Sequence, residues 1–325
     1  MRAVVCKALG DEAGLSVEDF PAPVLRADGV RIRVRAAGVN FADSLVIAGR
    51  YQFKQSPPFV PGWEVAGDVI EVAEGVDTCR PGDRVMALVD IGGFAELAVA
   101  RAEDVHVLPP SMDYPTAAGF LIAYGTSCHA LVRRAALTPG ETLVVHGAAG
   151  GVGSTAVEIG RLLGATVIAT AGGGEKVAAA LARGADHGID YKSEDTRRRI
   201  LALTDGRGAD VVFDPVGGAQ FDASLRSTAP HGRIVVVGFA SGAIPQIPAN
   251  ILLVKTLTVI GYDCRAEARL DPGGVRDCFH RLLDWYAAGR LRPLVTEILP
   301  LAAAASAIAR LKDRRAMGKL VLEVD

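Results

Sequence analysis

The chain has little of what nucleic-acid-binding and membrane-spanning proteins need. Its 35 basic and 37 acidic residues give a net charge of −2, so no electrostatic footprint for nucleic acid or anionic membrane is evident. Aromatic residues make up only 6%, which disfavours a base-stacking surface. No apolar run reaches the roughly 18 residues of a membrane-spanning helix, and the N-terminus shows no signal-peptide pattern. We therefore expect no nucleic-acid partner and no membrane insertion.

Cysteine is scarce, and its spacing excludes the common disulfide and metal patterns. None of the residues forms a C-x-x-C pair, and their number is odd: Cys6, Cys79, Cys128, Cys264 and Cys278. This usage is typical of reduced thiols in a cytoplasmic protein. We expect a cytoplasmic location.

Length and pattern predict two domains. A chain of 325 residues, half of them hydrophobic, exceeds one ordinary core. The first 120 residues read as short strands separated by turns, as in the alternation of Val30–Ala36. This part indicates a β-rich domain.

From Tyr124 onward, apolar strands alternate with Ala-rich helices, which is typical of a doubly wound parallel sheet. The tail carries two predicted helices and a last strand, 319–324. Because a single strand cannot stand alone, we expect it to rejoin the first domain's sheet. We predict an α/β protein with a β-rich catalytic domain over 1–123 and 264–325, and a nucleotide-binding domain over 124–263.

A glycine turn gives the clearest chemical signal. It follows the predicted strand 142–146, opens a helix, and has the form A-x-G-x-x-G from Ala148 to Gly153. Gly150 allows close approach of a pyrophosphate, Gly153 allows close packing, and the helix N-terminus supplies N–H donors. The predicted contacts are Ala148, Gly150, Gly151, Val152 and Gly153.

The next predicted strand indicates the nucleotide. It ends at Thr170 and Gly172 without the acidic residue that usually binds the ribose hydroxyls of NAD. Small residues leave room for a 2′-phosphate there. Lys176 can pair with that phosphate, or it is an ordinary solvated lysine at a helix start. Tyr191 adds a hydroxyl, and we predict NADPH as cofactor.

Six segments together resemble the medium-chain dehydrogenase/reductase superfamily, and within it the quinone oxidoreductase (zeta-crystallin-like) branch. The resemblance covers essentially the whole chain and implies a GroES-like domain with a Rossmann domain. It rests on residues 37–43, 49–52, 61–67, 82–85, 148–153 and 317–322.

The resemblance also bears on the metal. Zinc-dependent members carry a ligating Cys where this chain has Asn40, and a ligating His where it has Trp63. An indole cannot bind zinc, and Glu64 cannot hold it alone. The cysteine-rich lobe of those enzymes is missing over 88–94. We expect no catalytic or structural metal.

Without a Lewis acid, the expected reaction is direct hydride transfer to an acceptor that is already electrophilic, such as a quinone or enone. The resemblance implies that Asn40 lines the nicotinamide end of the cleft and that Tyr51 hydrogen-bonds or protonates the acceptor. Leu45 stands where the family often has a second Tyr. Phe41 and Trp63 are expected to form an aromatic wall of the pocket. For these two residues and for Tyr51, the alternative is that the side chain only packs in the core.

Further cofactor contacts follow from the resemblance. They are Thr126, the loop Gly238, Phe239, Ala240 and Ser241, and Arg314, with Arg315 as an alternative to Arg314. The apolar strand predicted at 256–260 would be an edge strand, and such strands pair across a two-fold axis in this superfamily. A homodimer is therefore expected.

Two other functions stay open at this point. An enone or enoyl-CoA reductase of the same fold would need a basic path for the CoA phosphates, and Arg197–Arg199 is a basic run, although such runs are usually solvated helix faces. A zeta-crystallin-like structural or RNA-binding protein is the non-enzymatic alternative.

Overall fold

A computed structural model describes all 325 residues, which divide into two compact units. The first unit comprises Met1–Ile122 and Pro293–Asp325, and the second comprises Ala123–Arg292. None of the helices combines the length and the hydrophobicity needed to cross a bilayer.

The N-terminal part of the first unit contains seven strands and two short helices. They are β1 (Arg2–Cys6), β2 (Leu15–Asp19), β3 (Gly29–Val39), α1 (Phe41–Ile47), β4 (Glu64–Val72), β5 (Arg84–Leu88), β6 (Leu97–Arg101), β7 (Val105–Val107) and α2 (Tyr114–Ala118).

The chain then passes through α3 (Leu121–His129) and a π-helical turn (Ala130–Arg134) into an alternating strand and helix pattern. The elements are β8 (Thr142–His146), α4 (Gly151–Leu162), β9 (Thr166–Ala171), α5 (Gly174–Ala182), β10 (His187–Asp190), α6 (Thr196–Leu203), β11 (Ala209–Asp214), α7 (Ala219–Ser227), β12 (Thr228–Val236), α8 (Ala249–Lys255), β13 (Thr258–Gly261), α9 (Cys264–Leu270) and α10 (Pro272–Ala287). The tail adds β14 (Val295–Pro300), α11 (Ala304–Lys312) and β15 (Lys319–Glu323).

The last strand rejoins the first unit's sheet, which confirms that part of the sequence prediction. The sheet has the order β14-β15-β3-β4-β5-β7, with β6 also paired to β3. Strand β15 runs antiparallel to β3, with Leu320 opposite Val39. This register brings the start of β15 beside the end of β3, where the candidate site lies.

The second unit is a doubly wound sheet of six parallel strands, as predicted. Its order, β10-β9-β8-β11-β12-β13, places β8 at the topological switch point of a Rossmann fold, where nucleotides bind outside the carboxyl ends of the strands. Strand β13 lies at the edge, as expected for the segment 256–260.

Helices α9 and α10 belong to the second unit, whereas the sequence suggested that the chain from residue 264 onward belongs to the first. Helix α10 packs on α3 so closely that a Cβ on Gly125 would lie 2.8 Å from the Phe279 ring. The N–H of Arg292 donates to Glu158 Oε1 at 2.9 Å. Through these contacts α10 and the chain as far as Arg292 pack on the second unit, and the first unit resumes at Pro293.

Candidate active site

In the first unit, Asn40 occupies the junction between β3 and α1. It is the N-cap of α1, a position where Asn is common because its short polar side chain can accept from a first-turn N–H, and its backbone is extended there. The Asn40 N–H donates to Asp43 Oδ2 at 2.8 Å, so the third helical residue closes the first turn. The cap therefore fixes the position of the Asn40 backbone, from which its side chain extends.

Lys319, Glu64 and Asn40 form a buried hydrogen-bonded group. Lys319 Nζ lies 2.6 Å from Glu64 Oε1, 2.8 Å from Asn40 Oδ1 and 3.1 Å from the Val39 carbonyl oxygen. Asn40 Nδ2 donates to Glu64 Oε1 at 2.9 Å, and the Ile122 N–H donates to Glu64 Oε2 at 2.9 Å. Because an ammonium only donates and a carboxylate only accepts, these partners determine which end of the Asn40 amide is oxygen.

Asp43 is a second buried carboxylate beside this group. It has no exposed surface, and its Oδ1 has no hydrogen-bond partner. Burial raises the pKa of Asp43 to about 7, against the lowering effect of the Asn40 N–H and the Lys319 charge. Asp43 therefore binds a proton far more readily than an ordinary aspartate.

Of the aromatic residues predicted in the pocket, Tyr51 and Trp63 are in contact. The Tyr51 and Trp63 rings meet edge to face with centroids 5.3 Å apart, and Phe53 lies 6.2 Å from Trp63. The N–H of Tyr51 donates to the Leu45 carbonyl at 3.1 Å, so the end of α1 positions Tyr51. Phe41 is the first residue of α1 and half-buried. Trp63 is itself 5% exposed, which makes it chiefly a packing surface for Tyr51.

In the second unit, the glycine turn joins β8 to α4 as the motif predicts. Gly150 is the N-cap of α4. A Cβ on Gly153 would lie 2.1 Å from the Gly147 carbonyl oxygen, and one on Gly150 would lie 3.3 Å from the same atom. Only glycine fits at 153, and the first-turn N–H groups of α4 have no acceptor within the helix. The turn fits a pyrophosphate.

Thr170 departs from the expected cofactor contact, because its side chain faces the core. Thr170 Oγ1 lies 2.8 Å from His146 Nδ1, and His146 Nε2 lies 2.7 Å from Ser224 Oγ. Ser224 donates to the Gln220 carbonyl, so it accepts from Nε2–H and Thr170 donates to Nδ1. Burial lowers the pKa of His146, which keeps the imidazole neutral. His146 is thus a packing residue that joins β8, β9 and α7.

Gly172 and Tyr191 are neighbours at the end of β9. A Cβ on Gly172 would lie 2.7 Å from the Tyr191 hydroxyl oxygen. The nearby carboxylate of Asp190 accepts from the N–H groups of Gly173 at 2.8 Å and Lys192 at 3.0 Å, and these bonds hold its pKa low. Lys176 lies half-buried in the first turn of α5. The end of β9 thus brings together the Tyr191 phenol, the Lys176 ammonium and a glycine segment without side chains.

The loop after β12 packs on the turn after β11. The N–H groups of Ala240 and Ser241 donate to the carbonyls of Pro215 and Val216 at 3.0 and 2.9 Å. Asp214, which has no exposed surface, holds that turn by accepting from Val216 and Gly217 N–H at 2.8 and 2.9 Å. The two loops therefore form one surface at the carboxyl end of the sheet.

Three further residues were predicted only through the resemblance. Thr126 is buried within α3, where its hydroxyl bonds the Cys264 thiol. Arg314 lies just beyond α11 in the first unit and is exposed, with a φ of 56°. Its neighbour Arg315 pairs with Asp313 at 2.5 Å. Nothing in either unit assigns these two arginines a ligand.

Sequence reasoning missed Lys319 and Asp43. In the sequence, Lys319 stands out only as part of the segment 317–322, although a lysine that opens an apolar strand needs a buried partner. Asp43 looks like an ordinary capping-box acid, and only the packing around it shows its complete burial.

Comparison with known proteins places the chain in a family. Residues 26–110 match the alcohol dehydrogenase GroES-like domain, and residues 151–287 match the zinc-binding dehydrogenase domain. A quinone oxidoreductase-like protein 2 homolog from Nematostella vectensis is 39% identical over 99% of this chain and 88% of its own. A quinone oxidoreductase from Pseudomonas aeruginosa is 34% identical over 90% of each chain.

A solved structure agrees over the full length. The Escherichia coli quinone oxidoreductase complexed with NADPH superposes with a TM-score of 0.93 at 28% identity, covering 100% of both chains. The chain therefore belongs to the quinone oxidoreductase branch of the medium-chain dehydrogenase/reductase superfamily.

Proposed function

We propose that this oxidoreductase uses NADPH to reduce quinones or related electron-poor acceptors, and that it works without zinc. The observation that carries the proposal is the position of the Lys319 ammonium. It lies among Val39, Asn40 and Glu64, next to the positions from which zinc-dependent relatives bind their metal.

The donor set around Lys319 is unsuited to zinc. Zinc prefers thiolate and imidazole ligands, and here the corresponding side chains are an amide and an indole. Glu64, which stands at the remaining position of the zinc-binding motif, already accepts from Lys319, Asn40 and Ile122. A divalent ion would have to displace the ammonium or lie against its positive charge. The chain thus provides its own fixed cation in place of a metal.

NADPH is supported by the fit of the second unit. The α4 N-terminus offers backbone N–H groups to a pyrophosphate, and Gly153 is required for the tight turn that precedes it, because a Cβ there would lie 2.1 Å from the Gly147 carbonyl oxygen. At the end of β9, Lys176 and the Tyr191 hydroxyl offer donors to a 2′-phosphate, and the Asp190 carboxylate is occupied by backbone N–H groups. The related Escherichia coli enzyme was solved with NADPH.

When bound, NADPH would supply a hydride, and the chain's own residues orient the acceptor and provide a proton. Asn40 offers a carboxamide held in one orientation by Glu64 and Lys319. We assign Tyr51 as the proton donor to the reduced oxygen, since a phenol hydroxyl can protonate a developing oxyanion. Trp63 holds the Tyr51 ring, and Phe41 and Leu45 add apolar surface.

An acceptor panel tests this function. NADPH oxidation should be faster with benzoquinones and naphthoquinones than with 2-enals or enoyl-CoA thioesters, and NADPH should be preferred over NADH. Lys176→Ala should raise KM for NADPH about tenfold and leave that for NADH unchanged, because it removes a charge-assisted contact. Lys192→Ala, an exposed lysine of the same region, is the matched control. Faster turnover of enals or thioesters than of any quinone would reject the quinone assignment.

We also propose a cytoplasmic homodimer that assembles through β13. This strand forms the edge of the parallel sheet, and the adjacent α8 exposes Leu253 by 79%. The five cysteines are free thiols, in keeping with a reducing compartment. Ile260→Lys should give a monomer by light scattering, whereas Val24→Lys, at an exposed position of the first unit, should not. A wild-type monomer would reject the dimer.

A further inference from the structure

The basic run Arg197–Arg199 lies in the first turn of α6, where the helical twist points successive side chains in different directions. Arg199 pairs with Glu194 at 2.8 Å, and Arg198 borders a groove that also contains Glu194 and Asp195. Arg197 faces a different groove, which lies between α6, α7 and α8. The three arginines therefore have different surroundings, and only Arg197 lines a groove without a carboxylate.

The groove that contains Arg197 gathers cations from three helices. Its volume is about 410 Å³, and it is lined by Arg197 from α6, Arg226 from α7 and Lys255 from α8, with no carboxylate among its lining residues. None of the three forms an ion pair. Lys255 Nζ donates to the Leu225 carbonyl and Arg226 Nη1 to the Asp222 carbonyl, each at 3.3 Å. We call this site, lined by Arg197, Arg226 and Lys255, the cationic groove.

The charges of the cationic groove disfavour one another when no anion is bound. Burial, and next the positive charge of Arg197, lower the pKa of Lys255. An anion between the three cations would replace this repulsion by charge-assisted hydrogen bonds. A total of three positive charges suits the dianion of a phosphate ester better than a single carboxylate.

The cationic groove also has an apolar side. Ile251 and Val254 line it from α8, and the Val254 side chain is largely exposed. Asn250 adds a side-chain amide on the same helix. An apolar surface next to clustered cations is suited to an amphiphilic anion, and the volume is within the range of small-molecule sites.

The cationic groove is separate from the glycine turn. Helices α6, α7 and α8 share a hydrophobic cluster with the sheet, built on Ile200, Phe221 and Leu225, to which α4 and α5 contribute nothing. In a doubly wound sheet this places them on the face opposite α4. A ligand in the groove therefore does not need the pyrophosphate site.

We propose that the cationic groove binds an organic phosphate, with the phosphate between Arg197, Arg226 and Lys255 and its apolar part on Ile251 and Val254. The chemistry is that of a phosphate monoester with an alkyl chain. It can come from a soluble ester or from the headgroup of an anionic phospholipid.

Binding of n-hexyl phosphate to the full-length protein, measured calorimetrically with saturating NADPH and at fixed ionic strength, tests the proposal. Hexyl phosphate should bind more tightly than inorganic phosphate, and n-hexanol should not bind measurably. Arg197→Ala and Lys255→Ala should each weaken binding about tenfold or more. Val254→Ser should weaken hexyl phosphate but not inorganic phosphate.

Arg198→Ala is the matched control, because it removes a neighbouring charge that faces another groove. It should change the affinity less than twofold. Sedimentation with phosphatidic acid vesicles, compared with phosphatidylcholine vesicles, identifies the source: binding that depends on Arg197 indicates a lipid headgroup, and its absence indicates a soluble ester. Equal losses in Arg197→Ala and Arg198→Ala, or no binding of hexyl phosphate by wild type, would overturn the proposal. Catalysis is not read out, so failure here leaves the proposed reductase activity standing.

Discussion

Lys319 Nζ lies 2.6 Å from Glu64 Oε1 in the interior of the first unit. The two residues are 255 positions apart, and they meet because β15 joins β3 on one side and β4 joins it on the other. Asn40 lies between them and bonds to both. The candidate site is therefore tied to the closure of the sheet by the C-terminal strand.

Lys319→Met should destabilise the protein strongly, because it leaves the Glu64 carboxylate buried without its cation. Removing one partner of a buried pair costs about 3–5 kcal/mol, whereas replacing both costs less. We expect Lys319→Met/Glu64→Gln to recover part of the loss in urea unfolding. Lys312→Met, which breaks the partly exposed pair with Glu12, should cost below about 1 kcal/mol. Equal losses in the two single lysine variants would contradict the buried pairing.

Asp43 should make stability depend on pH. Its folded pKa of about 7 exceeds the ordinary value, so the folded chain binds more protons than the unfolded chain between about pH 4 and 7. The resulting stability is fully present below about pH 4 and is lost as the pH rises through 7. Asp43→Asn keeps the acceptor for the Asn40 N–H and cannot ionise. Between pH 4.5 and 7.5 its free energy of unfolding should fall less steeply than that of wild type, and parallel curves would refute the assignment.

Gly153→Ala should weaken NADPH binding by at least about tenfold, since its Cβ would lie 2.1 Å from the Gly147 carbonyl oxygen and would deform the turn. Fluorescence titration of the nucleotide measures the effect. The control is Gly273→Ala in the first turn of α10, where no atom lies within 4 Å of the new Cβ. Unchanged affinity in Gly153→Ala would show that the turn does not hold the pyrophosphate.

Tyr51→Phe should lower kcat for quinone reduction about 100-fold, within the range for loss of a general acid. KM and the melting temperature should change little, because the ring still packs on Trp63. Tyr114→Phe removes a hydroxyl that bonds Asp68 in the same unit, so it should affect stability but not kcat. If kcat of Tyr51→Phe equals that of wild type, Tyr51 is a packing residue.

The sequence predicted what depends on local pattern. The glycine turn and the parallel sheet follow from spacing and periodicity, and the return of the last strand follows from its need for a partner strand; all three appear in the structure as expected. The buried group around Lys319 depends on strand pairing between distant segments, which no local pattern reveals. The inward turn of Thr170 depends likewise on His146 and Ser224 from other elements. The apolar pattern of α9 and α10 shows that each helix has a buried face, but it does not show which unit covers that face.

In the proposed function Lys319, and not a metal, supplies the positive charge at Asn40 and Glu64. The most direct measurement is zinc content by mass spectrometry of the purified protein, together with NADPH-dependent quinone reduction before and after exhaustive treatment with 1,10-phenanthroline. The account predicts substoichiometric zinc and an unchanged kcat. Stoichiometric zinc, with activity that is lost on chelation and restored by added zinc, would contradict it.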